Sequence, residues 1–74
     1  MTDKECRRDV VSILCMRGSL QIDDMTQRLS ARISPEGVQR AVEDLSLGQI
    51  IQKDKFDRWL INPQWIHAKL GLHL

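Results

Sequence analysis

The chain has 74 residues, 42% of them hydrophobic and 28% charged, with 11 Lys and Arg against 10 Asp and Glu for a formal net charge of +1. That length predicts one small domain over residues 1–74, near the size at which a single core is only marginally stabilising. The composition excludes a disordered chain, and the near-neutral balance excludes a protein that grips phosphates by bulk charge, so nucleic-acid affinity is expected to be weak or local.

No apolar run is long enough to span a bilayer, and the start Met-Thr-Asp-Lys-Glu-Cys-Arg-Arg lacks a signal-peptide core. An intracellular protein, cytoplasmic or nuclear, is expected, with no membrane partner. Thr2 or Asp3 opens a first helix, and Thr2 with Glu5 has the spacing of a capping box. Cys6, Val10, Ile13 and Leu14 form its apolar stripe, widened by Val11 and Met16, which predicts a helix covered on more than one side. Cys6 and Cys15 lie about 13 Å apart along that helix and on roughly opposite faces, too far to bridge. Both are read as buried thiols, in keeping with reducing surroundings.

Arg17-Gly18 stops the first helix, and Ser19–Ile22 reads as a brief strand or an extended link. Asp23 is expected to cap a short second helix through Leu29, with Met25 and Leu29 inward. A turn over 30–33 follows, with Ile33 placed as a hydrophobic staple. The third helix has the clearest punctuation: Ser34 as N-cap, Pro35 at the first helical position, and Gly48 as a left-handed stop. Val38, Ala41, Val42 and Leu45 share its inner face.

Gln49–Gln52 and Arg58–Ile61 read as strands, rich in β-branched and aromatic residues. Lys53–Asp57 between them is polar and turn-like but lacks the glycine of the tightest hairpins. Asn62-Pro63 predicts the cap and first residue of a final short helix carrying Trp65, Ile66 and Leu70, ended by Gly71. The expected architecture is α+β: three helices of helix-turn-helix type, a small antiparallel β wing and a short C-terminal helix, which together describe a winged helix.

The run Gly18–Leu29 followed by Val38–Leu45 resembles winged-helix domains generally. More narrowly it is similar to the Z-alpha family of left-handed nucleic-acid binders, over roughly residues 5 to 62. The resemblance implies that Gln39 stands where that family has a base-contacting Asn, Arg40 where it has a basic residue, and Trp59 where it has a wing Trp. Two features of the family are missing. Glu43 occupies the position of its Tyr, and Phe56-Asp57 replace its wing prolines.

The outward face of the third helix carries Glu36, Gln39, Arg40, Glu43 and Asp44. Arg40 and Gln39 have the bidentate geometry that suits guanine and adenine edges, although the acids beside them disfavour phosphate. A solvated face, or a surface for a basic protein, is the competing interpretation. Lys53, Lys55 and Arg58 make the wing locally basic and suit backbone contacts, with Phe56 either stacking on a base or folding back on the core. Trp59 reads as core, sharing a face with Ile61. Of the dispersed arginines, Arg32 is the best placed to approach a nucleic-acid backbone.

The nucleic-acid candidates are therefore Arg32, Gln39, Arg40, Lys53, Lys55 and Arg58, for DNA or RNA, in a transcription- or RNA-related role. The alternative is a protein-interaction winged helix, acting as a dimerisation or complex-assembly module. Leu70, Leu72 and Leu74 would then be its contact residues, whereas Trp65 and Ile66 are expected to complete the core. His67 and His73 lack partners at metal spacing, and neither cysteine lies in a ligand motif, so no cofactor is expected. Nothing has the order of a catalytic constellation or a phosphate loop, and no enzyme activity or small-molecule substrate is expected.

Overall fold

Three helices and three short strands follow from local signals that the computed structural model, describing residues 2–66, lets us trace one by one. Helix α1 spans Asp3–Arg17, with the Thr2 hydroxyl accepting from the Glu5 amide at 3.2 Å as an N-cap. Strand β1 is Ser19–Leu20, helix α2 is Ile22–Arg28 and helix α3 is Pro35–Leu47. The Ser34 hydroxyl accepts from the Gly37 amide at 3.1 Å, and Pro35 takes the first helical position. Strands β2 (Ile51–Lys53) and β3 (Trp59–Ile61) form the hairpin.

The sheet order is β1-β3-β2, antiparallel throughout, so β3 lies in the middle. Leu20 pairs with Trp59, and Trp59 in turn pairs with Lys53 across the hairpin. The domain is thus α+β, with a layout compatible with a winged helix. Its core draws on every element: Cys6, Val10 and Leu14 of α1, Leu20 of β1, Met25 of α2, Val38, Ala41, Val42 and Leu45 of α3, and Ile51 and Ile61 of the hairpin. Leu29 and Ile33 close it at the turn between α2 and α3. The α1–α3 contact is the most extensive in the fold. Gly37 lets the turn before α3 close on that helix, because a Cβ there would lie 2.8 Å from Ile33 Cγ2.

Several expectations need correction. Met16 is 78% exposed, and Cys15 is exposed while Cys6 is buried. Met16 sits about 200° around the helix from Leu14, so the broad stripe narrows to one side after Leu14. The α2 N-cap is Gln21, with no side-chain cap bond; Asp23 and Asp24 lie inside the first turn, where their charge faces the helix N-terminus.

Gly48 does not take the left-handed conformation at the end of α3. It has φ −80°, and Gln49 has φ 60° instead. The Gln49 amide donates to the Ser46 carbonyl at 3.0 Å and the Ile50 amide to that of Leu45 at 2.9 Å. That pair of bonds is a Schellman motif with Gln at its αL position. It occupies Gln49 and Ile50, which is why β2 begins at Ile51 rather than at Gln49.

Asn62 behaves as its position predicts. Its Oδ1 accepts from the Gln64 amide at 3.0 Å, capping a helical turn over 63–66, while its Nδ2 donates to the Gln49 carbonyl at 2.8 Å. Trp65 packs against the core and Ile66 is exposed. Leu70, Gly71, Leu72 and Leu74, like His67 and His73, lie outside the described residues. No described helix is long and apolar enough to cross a membrane.

Candidate nucleic-acid interface

The wing tip is built by Asp54. Its Oδ1 accepts from two backbone amides, Phe56 at 2.8 Å and Arg58 at 3.0 Å. The Asp54 amide donates to the Arg58 carbonyl at 2.9 Å and the Asp57 amide to the Asp54 carbonyl at 3.2 Å, with Asp57 at φ 64°. This is a three-residue hairpin loop ending in a left-handed bulge residue, the solution available where Asn-Gly or Asp-Gly is missing. Arg58 belongs to this loop closure, so β3 begins at Trp59 rather than at Arg58.

That framework fixes which side chains leave the surface. Phe56 is 63% exposed and does not fold back on the core; the Lys55 ammonium lies 5.2 Å from its ring centroid. Arg58 is exposed on the same loop, with no ion pair among the described residues. Lys53 faces two ways: its Nζ is 3.1 Å from Asp57 Oδ1 and 5.5 Å from the Trp59 ring centroid. Trp59 is half-buried rather than fully core. Lys53 and Trp59 lie at the outer end of the sheet face whose inner end is Ile51 and Ile61, where the core gives out.

The polar face of α3 is more heavily committed. Gln39 Nε2 donates to Glu43 Oε1 at 3.2 Å, one turn further on. Arg40 Nη1 lies 3.7 Å from Asp3 Oδ1, and Arg7 Nη1 lies 3.4 Å from Asp44 Oδ2. Both ion pairs join α1 to α3, and all four side chains are at least 38% exposed. Such pairs stabilise by about 0–1 kcal/mol each, yet they set where Arg40 points in the free protein. Arg32 Nη2 lies 3.4 Å from Asp9 Oδ2, on the turn between α2 and α3.

The six candidates fall into two groups. Gln39 and Arg40 share a depression on α3 with Glu36 and Glu43, and Arg40 also lines a depression with Arg32 at the N-terminal end of α3. Lys53 lies with Trp59 in a groove of about 410 Å³ between the end of α3 and the hairpin, reached along α3 through Ser46. Lys55 and Arg58 stand at the loop beyond it. Gln39, Glu43 and Ser46 follow one helical ridge, so the two groups adjoin with Glu43 between them.

The pairing partners were the residues missed in the sequence. The Gln39–Glu43 bond is an i, i+4 contact readable from spacing. Asp3 and Asp44 as partners of Arg40 and Arg7 bridge 37 positions and leave no local signal. Among the described residues, no group of three or more His, Cys, Asp or Glu could hold a metal ion. Compared with known proteins, the chain matches no family model, no curated protein and no solved structure.

Proposed function

We propose that the domain is a winged helix that binds nucleic acid weakly, led by its wing, with α3 in a secondary role. The observation that carries this reading is the hairpin loop. Asp54 ties the backbone of a loop that carries an exposed aromatic ring and two exposed cations, Phe56 with Lys55 and Arg58. An aromatic face beside cations is the arrangement that stacks on a base while neutralising neighbouring phosphates. Lys53, Arg40 and Gln39 extend the contact along α3, and Arg32 flanks its start.

A kinship with Z-alpha domains is part of the same proposal, supported by Gln39 and Arg40 on the exposed face of α3 and by Trp59 at the wing. Glu43 removes the aromatic contact to a base and repels phosphate, so the ligand proposed is an ordinary duplex or single strand rather than a left-handed one. Titration of labelled single-stranded and duplex DNA and RNA at low salt tests it. Saturable binding that is lost in Lys53→Glu with Lys55→Glu is the expected result. Absence of binding at tens of micromolar protein, or binding untouched by those substitutions, rejects it.

A second reading, a protein-interaction winged helix, is favoured by one observation: Glu43 of α3 holds Gln39, and Asp3 of α1 holds Arg40, in the free protein. An assembly mediated by Leu70, Leu72 and Leu74 would show as a concentration-dependent rise in mass that disappears when residues 72–74 are removed.

A further inference from the structure

A second surface, separate from the wing, lies between the C-terminal half of α1 and the end of α2. It is a groove of about 390 Å³ with Ile13 and Leu29 among its lining residues, and Met16 stands on it 78% exposed. Arg17, Arg28 and Arg32 line the same groove against one carboxylate, Asp9. Arg17 and Arg28 form no ion pair among the described residues, and Arg32 is the partner of Asp9. The C-terminal ends of α1 and α2 offset part of that positive charge, but two exposed guanidinium groups remain without a counter-charge.

We infer that this groove docks an acidic segment of a protein partner that carries an apolar anchor side chain. Charge complementarity supplies the sign: three arginines facing one acid call for carboxylates. The apolar lining supplies the class. Arginine and methionine around an apolar floor are the composition of protein interfaces, and Met adapts its shape to the side chain it meets.

Asp9 is the one carboxylate of the groove, and it is set back from its surface. Its side chain is only 11% exposed, and its Oδ2 makes no hydrogen bond despite lying 3.4 Å from Arg32. A peptide brings both N–H donors and apolar side chains to such a groove, whereas a phosphodiester backbone brings acceptors alone. A nucleic acid would meet the arginines and leave the apolar floor without a partner.

The test uses the full chain, labelled with ¹⁵N, and a short peptide of Asp and Glu interrupted by Leu and Phe. Expected are saturable shifts confined to the second half of α1, α2 and the 30–33 turn. Arg17→Glu with Arg28→Glu should weaken binding by about tenfold or more. Met16→Asp is the second variant and should weaken it as well. Both alter exposed positions, and circular dichroism confirms that each variant is folded. Lys55→Glu with Arg58→Glu should leave peptide binding unchanged, which separates this surface from the wing.

Four results would overturn the inference: no shifts with the peptide at about 1 mM, which puts any dissociation constant well above the millimolar range; equal binding of a polyglutamate without Leu or Phe; duplex DNA shifting the second half of α1 and the end of α2; or shifts there on concentrating the chain alone. The third assigns the groove to phosphate and the fourth to a second copy of the chain.

Discussion

Gln39 and Glu43, one turn apart on α3, hold each other through a 3.2 Å hydrogen bond at the centre of the exposed face. The bond turns the amide of the best base-reading candidate toward a carboxylate, and the carboxylate itself opposes phosphate. Glu43→Gln keeps the size and removes the charge. It should raise nucleic-acid affinity by about threefold or more at low salt, with the gain shrinking as salt screens the contact. Fluorescence anisotropy at two salt concentrations reads this directly; unchanged affinity at low salt would place α3 outside the contact.

Asp54 holds the wing loop with a single oxygen serving two amides. Asp54→Ala leaves both donors to solvent and should cost about 1–2 kcal/mol of stability, by analogy with the loss of a helix N-cap. Asp54→Asn keeps a side-chain carbonyl and should lose less. Urea denaturation of the three proteins gives the ranking, and an Asn variant as unstable as the Ala variant would contradict it.

How legible all this was depends on the range of the signal. Thr2, Ser34 and Asn62 cap by their own side chains within two or three residues, and all three were readable as caps. The apolar stripe of α3 was equally plain, since Val38, Ala41, Val42 and Leu45 repeat at helical spacing and all four are buried. The side on which a helix ceases to be covered was not readable. Met16, and likewise Leu47 at 83% exposure, are apolar residues on the far side from Leu14 and Leu45. Within the site, the cationic character of the hairpin was legible. The closure of Asp3 on Arg40 and of Asp9 on Arg32 was not, because each joins elements far apart in the chain.

Gln49 carries the clearest reserve of stability. A side chain with φ 60° at the αL position of a Schellman motif costs what glycine there would not. Its known hydrogen bonds with Ser46 and Asn62 use only backbone atoms of Gln49, so Gln49→Gly keeps both. A gain of about 0.5–1 kcal/mol is expected, seen as a melting temperature several degrees higher. A lower melting temperature would mean that the Gln49 side chain itself contributes to the groove beside Trp59.

The salt dependence of nucleic-acid binding tests the central claim most directly. Lys53, Lys55 and Arg58 as phosphate contacts predict that log affinity falls against log salt with a slope of roughly −2 to −3. Lys55→Glu with Arg58→Glu should flatten that slope by about 2 and weaken binding at every salt concentration. A wild-type slope near zero, or the same slope in the double variant, would contradict a wing-led interface.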